Sequence, residues 1–250
     1  MATGLNTFPP GFEALVIGGS RGIGQALVAA LRARGAGRVW AASRSPAHGA
    51  GVADGVEPLV VDATDEASLA AAAAQVKAAG ATLSLVVHTP GLLQDARLRP
   101  ERRLADIQRE ALQRSFAVNA FAPILAAKAF VPLLQHGGPA VYASLSARVG
   151  SIGDNRLGGW YAYRAAKAAQ NQLIHTLAIE TARRSRALIC CTLHPGTVDT
   201  ELSRPFQSGV AAERLFTPDE AAGHLLKVID GLGPDQHGRC IAWDGQTVPW

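Results

Sequence analysis

A tyrosine and a lysine lie one helical turn apart in the segment GGWYAYRAAKAAQNQ, residues 158–172. Tyr163 and Lys167 are four residues apart, and in a helix this spacing places two side chains on the same face. Both groups titrate near pH 10 in isolation, and a cation within about 4–6 Å favours the ionised phenol. The pair could therefore make a proton-exchanging phenol. A core tyrosine beside a surface lysine would give the same spacing, so the rest of the chain must decide.

A glycine-rich turn, VIGGSRGIG, stands between a predicted strand and a predicted helix. Gly18, Gly22 and Gly24 form the pattern G-x-x-x-G-x-G. Glycines at such positions permit a sharp turn and let a pyrophosphate approach the N-terminus of the helix. Because the pattern follows the first strand directly, it predicts a dinucleotide site.

The end of the second predicted strand carries a hydroxyl and a cation where dinucleotide-binding folds often carry an acid. Ser43 and Arg44 occupy this position, and Arg21 lies in the glycine-rich turn. Two guanidinium groups and a hydroxyl suit a ribose 2′-phosphate, so these residues favour NADP over NAD. Asp62, before the next predicted helix, is placed either to accept from an adenine amino group or to cap that helix.

Composition restricts the class of protein. Of 250 residues, 48% are hydrophobic and 18% charged, which excludes disorder. Polar residues interrupt every apolar run before the ~20 residues that a membrane span needs. The first residues, MATGLNTFPPGFEAL, lack the basic start and apolar stretch of a secretory signal. We therefore expect a soluble, cytoplasmic protein that does not enter a membrane.

Charge and cysteine placement exclude two further functions. The net charge of +4 comes from arginine, and the densest arginine cluster, residues 97–114, alternates with acids. This alternation favours a solvated helix face with ion pairs over a nucleic-acid surface. Cys190, Cys191 and Cys240 have no metal-ligand spacing, and we expect buried thiols and no metal site.

Short apolar runs alternate with longer segments of helical periodicity along the whole chain. This order predicts an α/β fold: a Rossmann-type, doubly wound parallel sheet of about seven strands with helices on both faces, in a single domain over residues 1–250. A glycine-containing loop is expected around residues 49–56. The predicted strands are 13–18, 38–43, 57–62, 83–88, 139–144, 187–193 and 238–243, and the predicted helices are 22–33, 65–80, 101–135, 160–184 and 218–229.

Motifs along nearly the whole chain resemble the short-chain dehydrogenase/reductase family. They appear in that family's order as GGSRGIG, HTPG, FAVNAFAP, SLSARVG, YRAAK and PGTVDT. The stretch from Ser146 to Ala169 and the ending WDGQTVPW resemble the branch called C-factor-like, named after a bacterial cell-contact signalling protein.

The resemblance assigns roles to four side chains. It implies that Tyr163 exchanges a proton with the substrate oxygen, and that Lys167 binds the nicotinamide ribose and lowers the phenol's pKa. Ser146 matches the family serine that holds the substrate oxygen, with Ser144 as the competing candidate. Asn119 matches the asparagine that kinks a long helix and holds a water leading to the lysine.

The resemblance also completes the predicted cofactor site. Val198 and Thr200 fall where the family's chain contacts the nicotinamide carboxamide. The chain departs from the family at residues 88–91, where His-Thr-Pro-Gly replaces Asn-Asn-Ala-Gly and Pro90 removes a backbone donor. Ile17 also stands where many relatives have threonine. The predicted cofactor-binding residues are Gly18, Ser20, Arg21, Gly22, Ile23, Gly24, Ser43, Arg44, Asp62, Thr89, Gly91, Tyr163, Lys167, Pro195, Gly196, Val198 and Thr200.

The implied reaction is hydride transfer between NADP(H) and a small-molecule carbonyl or alcohol, with substrate choice residing in residues 201–216. This segment holds Phe206 and Phe216 and could close over a small substrate that carries a polar or anionic group.

The alternative function is that of a cofactor-binding signalling or structural protein on the same fold. A methyltransferase would also explain the glycine-rich turn, but it leaves the Tyr–Lys pair unexplained. The alanine-rich predicted helices around Asn119 and Tyr163 favour a homodimer or homotetramer.

Overall fold

The computed structural model describes residues 4–45 and 54–250. Seven strands form one parallel sheet in the order β3-β2-β1-β4-β5-β6-β9, which confirms the predicted doubly wound fold. A separate pair, β7 and β8, was not predicted. The strands are β1 Glu13–Ile17, β2 Arg38–Ser43, β3 Val56–Val60, β4 Leu83–His88, β5 Ala140–Leu145, β6 Leu188–His194, β7 Thr197–Val198, β8 Leu215–Phe216 and β9 Cys240–Ala242.

Burial on both faces explains the apolar runs of the central strands. Every residue of β4 and of β5 is buried, as expected for parallel strands that are covered by helices on both sides. The carboxyl ends of all seven strands meet at one edge of the sheet, where folds of this type bind ligands.

The described part of the chain contains six α-helices, five of which contribute to the core layers on the two faces of the sheet. One core layer includes α1 and α6, and the other includes α2, α4 and α5. Asp65 caps α2 by accepting a hydrogen bond from the backbone N–H of Ala67 at 2.9 Å. Thr217 and Glu220 form a capping box at the start of α6. The helices are α1 Gly22–Ala33, α2 Glu66–Ala78, α3 Arg109–Phe116, α4 Ala122–Leu134, α5 Tyr161–Ala182 and α6 Pro218–Asp230.

The predicted helix 101–135 is wrong at its start, because α3 begins only at Arg109. The carbonyl of Glu101 accepts a hydrogen bond from the N–H of Trp160 at 2.6 Å, so it is not used for an intrahelical bond. Asp106 accepts from the backbone N–H groups of Arg102 and Arg103, at 3.2 Å each, and stabilises a turn instead. The other predicted boundaries agree within about two residues. The expected loop at 49–56 lies mostly outside the described residues.

The ion pairs predicted for the arginine cluster are partly present. Arg103 pairs with Asp106 at 3.0 Å, and Arg114 pairs with Asp95 at 2.5 Å. Glu101 belongs to no such pair among the described residues, because it is buried against α5.

The helical region Arg109–Leu134 is long and apolar enough, by length and composition, to cross a membrane. Half of its most apolar window is buried inside the protein. The buried half packs against the sheet and neighbouring helices. Phe130 of α4, for example, is completely buried.

We expect Phe130→Ala to lower the free energy of unfolding by about 3–5 kcal/mol, because it removes a fully buried aromatic ring and leaves a cavity. Urea denaturation measures the change. Leu157→Ala, which removes an apolar side chain that is 92% exposed, is the control, with an expected loss below about 1 kcal/mol. Equal losses in the two variants would contradict the packing described for α4.

Candidate active site

The glycine-rich turn after β1 forms an open helix N-terminus at the ligand-binding edge of the sheet. The N–H groups of Gly18 and Gly19 donate to the Ala42 carbonyl at 2.8 and 3.0 Å, which fixes the turn beside β2. A Cβ atom on Gly24 would lie 2.1 Å from the carbonyl oxygen of Gly18, so this position requires glycine. The N-cap residue Arg21 makes no side-chain hydrogen bond to the helix. The first N–H groups of α1 therefore lack a side-chain cap and can donate hydrogen bonds to an anionic group.

The unusual residues after β4 contact this turn. Thr89 donates to the Ile17 carbonyl through its hydroxyl at 2.8 Å and its N–H at 3.0 Å, which ties the loop after β4 to the end of β1. A Cβ on Gly18 would lie 2.4 Å from the Thr89 hydroxyl and 3.1 Å from Pro90. Thr89 and Pro90, which replace the usual family residues, therefore pack so closely on Gly18 that no side chain fits there. The other predicted turn residues, Ser20 and Ile23, are partly buried at the same turn.

The predicted convergence of Arg21 with Ser43 and Arg44 is not present. The Arg21 guanidinium donates to Glu201 at 2.9 Å, with both side chains more than 70% exposed. The Ser43 hydroxyl donates to the Ser45 carbonyl at 3.0 Å. Arg44 is exposed, and its charge acts on the nearby Asp62. Glu201 supplies an anion on the facing loop, and the Arg21 guanidinium pairs with it rather than turning toward Ser43 and Arg44.

Asp62 is engaged in a local turn. It accepts hydrogen bonds from the Thr64 hydroxyl at 2.6 Å and from the Thr64 N–H at 2.9 Å. These bonds lower the pKa of the Asp62 carboxyl, and the charge of Arg44 adds to the effect. Asp62 does not cap α2, because Asp65 does so.

Asn119 lies in a π-helical turn, Ala117–Phe121, between α3 and α4. Its amide nitrogen donates to the Leu92 carbonyl at 2.7 Å and its amide oxygen accepts from the Leu92 N–H at 2.9 Å. A further bond to the Ser115 hydroxyl measures 3.2 Å. The completely buried side chain thus ties the irregular turn to the loop after β4, close to Gly91. This is the helix distortion that the sequence predicted at Asn119.

The structure brings Tyr163 and Lys167 together on the buried face of α5. The Lys167 ammonium lies 5.8 Å from the centre of the Tyr163 ring and is buried with it. Burial raises the pKa of the Tyr163 phenol above its usual value and lowers the pKa of Lys167 to about 7. The lysine was expected to lower the phenol's pKa, whereas burial of the phenol raises it here. The phenol is therefore in its protonated form, which can donate a proton.

The two candidate serines differ in their partners. Ser146 is buried, its N–H donates to the Leu193 carbonyl at 2.7 Å, and its hydroxyl lacks a partner among the described residues. Ser144 accepts a hydrogen bond from the Gln170 amide at 2.6 Å. Ser144 is completely buried, and its hydroxyl is occupied by this side-chain partner. Ser146 is the serine with a hydroxyl free to bind a ligand.

The chain after β6 closes the other side of the site. Gly196 adopts φ 81°, and a Cβ there would lie 2.7 Å from the Phe216 ring. Pro195 is partly buried and Val198 is buried in β7. The methyl group of Thr200 lies 3.5 Å from the Cβ position of Gly22, so this loop and the glycine turn face each other.

A left-handed turn leads into α5. Gly158, Gly159 and Trp160 all have positive φ, and among the described residues Trp160 is the one non-glycine that does. Glu101 stabilises this turn: its carbonyl accepts from the Trp160 N–H, and its carboxylate accepts from the Ala162 N–H at 3.2 Å. The conformation costs about 1–3 kcal/mol, which such fixed contacts must offset.

An aromatic contact joins this turn to the predicted substrate segment. The Trp160 ring lies 4.9 Å from that of Phe206 and 6.3 Å from that of Tyr163. Phe216, which was expected to help close over a substrate, instead packs on Trp243 at 4.7 Å and on His224 at 4.8 Å. Phe206 is thus the phenylalanine of this segment that borders the candidate site.

Sequence reasoning missed three residues of the site. Nothing in the local sequence distinguishes Glu101 and Glu201 from ordinary surface acids. No local pattern indicates that Glu101 stabilises the start of α5 or that Glu201 pairs with Arg21. Gln170 had a usable signal, because it lies three residues after Lys167 on the same buried helix face.

Residues 13–211 match the family model described as short chain dehydrogenase. The chain belongs to the short-chain dehydrogenase/reductase family. This confirms the resemblance stated from the motifs and makes the chain an oxidoreductase of the dehydrogenase/reductase type.

Individual members of the family align over most of this dehydrogenase/reductase. A 1-hydroxy-2-glutathionyl-2-methyl-3-butene dehydrogenase of Rhodococcus sp. (strain AD45) is 31% identical over 236 residues, 94% of this chain and 98% of that protein. The C-signal protein of Myxococcus xanthus is 35% identical over 147 residues, 59% of this chain and 83% of that protein. The structure of NADPH-bound carbonyl reductase from chicken fatty liver superposes with a TM-score of 0.85 at 26% identity, covering 99% of this chain and 97% of the other.

We expect Asn119→Ala to lower the free energy of unfolding by about 1–3 kcal/mol, because it leaves the N–H and carbonyl of Leu92 without their partner. Chemical denaturation and amide hydrogen exchange at Leu92 measure the effect. Asn155→Ala is the control, since the exposed Asn155 also accepts one backbone N–H, from Gly158 at 3.1 Å. A loss no larger than that of the control would show that Asn119 does not hold the loop.

Proposed function

We propose that this chain is an NADP(H)-dependent reductase of carbonyl compounds, acting reversibly on the corresponding alcohols. The observation that carries the proposal is the buried Tyr163–Lys167 pair beside the unpartnered hydroxyl of Ser146. The uncapped N-terminus of α1 and the glycines that would clash with any Cβ fit a dinucleotide diphosphate. The NADPH-bound carbonyl reductase at 26% identity supports the same cofactor.

The bound cofactor would supply the hydride. The protonated Tyr163 phenol would donate its proton to the substrate oxygen as charge develops there. The Ser146 hydroxyl would donate a hydrogen bond to the same oxygen and so polarise the carbonyl. Lys167 would place a positive charge behind the phenol, and Asn119 would fix the loop beside it.

Preference for the phosphorylated cofactor would come from Arg44 and Ser43 at the end of β2. Arg21 can contribute only after its exposed pair with Glu201 opens. Such surface pairs are worth about 0–1 kcal/mol, so a 2′-phosphate can displace Glu201 at small cost.

A cofactor-binding signalling protein remains the second candidate, because the 35% identical C-signal protein covers 147 residues. The two functions differ in turnover. A nicotinamide fluorescence assay with a panel of ketones and aldehydes separates them, since a signalling protein would bind NADPH without oxidising it.

Assembly into a homodimer or homotetramer and a cytoplasmic location stay predictions. Two large apolar side chains of the helices around the site, Phe121 and Ile179, are each 51% exposed. These residues support close helix packing against a second copy.

We expect Tyr163→Phe to lower kcat/KM for carbonyl reduction by about 10²–10⁴-fold, because the variant lacks the proton donor. NADPH affinity, measured by fluorescence, should change little. Tyr161→Phe, two residues earlier and 40% exposed, is the control and should retain its activity. Undiminished turnover in the Tyr163 variant would refute this role for Tyr163.

We expect Arg44→Ala to weaken NADPH binding by about 10–100-fold while NADH binding changes little, because a charge-assisted contact to the 2′-phosphate is lost. Parallel titration with both cofactors measures this preference. Arg99→Ala, which removes another exposed arginine, controls for the change in net charge. Equal NADPH and NADH affinity in the unmodified protein would overturn the assignment of Ser43 and Arg44.

A further inference from the structure

Gln170 forms the centre of a buried polar network beside the candidate proton donor. It lies three residues after Lys167 on α5 and is 1% exposed. Its amide nitrogen donates to the Ser144 hydroxyl at 2.6 Å and to the Leu145 carbonyl at 3.1 Å. With both amide hydrogens directed at β5, the amide oxygen has a fixed direction, and it accepts from the Lys167 ammonium at 2.9 Å.

The Lys167 ammonium has few other partners. It carries three N–H groups; one donates to the Gln170 oxygen and another to the Leu145 carbonyl, also at 2.9 Å. Among the described residues, no carboxylate forms an ion pair with it. Gln170 is therefore the side chain that balances this buried charge, and the third N–H is left for another acceptor.

The titratable neighbours do not replace Gln170. His88, at the end of β4, pairs in register with Ser144 and is neutral, because burial lowers its pKa to about 3. Cys240 on β9 and Tyr163 on α5 have pKa values raised by burial. Burial brings the pKa of Lys167 to about 7, so its charge at neutral pH is sensitive to each hydrogen-bond acceptor.

We propose that Gln170 is a positioning residue that keeps Lys167 charged and fixes its ammonium group, so that the remaining N–H is directed to the cofactor and the Tyr163 phenol. Its effect on turnover rests on the proposed dehydrogenase function. The contact with Lys167 exists in the protein without cofactor and can be tested there.

The test is a pH titration of the lysine ε-CH₂ groups by heteronuclear NMR on the protein without cofactor. The chain has four lysines, Lys77, Lys128, Lys167 and Lys227, so Lys167 can be assigned with a Lys167→Met variant. Gln170→Leu removes the acceptor and should lower the Lys167 midpoint by about one pH unit or more. Gln170→Glu adds a negative charge at nearly the same volume and should raise it by a similar amount.

Gln172→Leu is the matched control, because Gln172 is exposed and its amide donates to Thr176 rather than to Lys167. The control should leave the Lys167 midpoint unchanged. Ser144→Ala frees the Gln170 amide while keeping the acceptor, and it should produce a smaller downward shift. If Gln170→Leu does not fold, the shifts in Gln170→Glu and Ser144→Ala still test the proposal.

Opposite shifts in the Leu and Glu variants support the positioning role, and an unchanged midpoint in all folded variants overturns it. The alkaline limb of kcat/KM for carbonyl reduction should move in the same direction as the Lys167 midpoint, because activity is lost when Lys167 gives up its charge. If the midpoints shift but the unmodified protein reduces no carbonyl compound, the dehydrogenase proposal fails and the contact stands. If turnover is present and the midpoints do not move, only the role of Gln170 is refuted.

Discussion

A positive charge buried without a carboxylate partner is the constraint on which the site depends. Lys167 is 2% exposed, and burying an ammonium group away from water is costly unless hydrogen bonds compensate. Two neutral acceptors, a strand carbonyl and a glutamine amide, provide that compensation. A carboxylate in their place would hold the charge more strongly but would also neutralise its field at the phenol. Neutral acceptors leave the charge available to a neighbouring group.

The surrounding structure holds this charge at the edge where the strands end. Asn119 ties the π-helical turn to the loop after β4, and Thr89 ties that loop to β1 and the glycine turn. Glu101 holds the start of α5 from the opposite side. These contacts come from segments far apart in the sequence. The positions of Tyr163 and Lys167 therefore depend on tertiary hydrogen bonds as well as on their own helix.

Local patterns predicted most of the fold. Periodicity and glycine placement located the strands of the main sheet within about two residues, because burial on both faces leaves a strong apolar signal in each strand. The four-residue spacing of Tyr163 and Lys167 predicted their shared face because helical periodicity alone sets it. The segment 101–108 was misjudged, since its helix-forming composition gives way to hydrogen bonds with α5. The direction of the Arg21 side chain was also beyond local reasoning, because its partner Glu201 is 180 residues away.

The left-handed backbone at Trp160 makes this position a favourable place to remodel the chain by design. Enlarging a binding pocket usually sacrifices stability, because a large side chain is removed from a well-packed backbone. At Trp160, glycine or asparagine would tolerate the positive φ better than tryptophan does. A smaller residue there would remove the indole ring beside Tyr163 and would also relieve the strain of the positive φ. The relief of strain would offset part of the stability lost with the packing contacts.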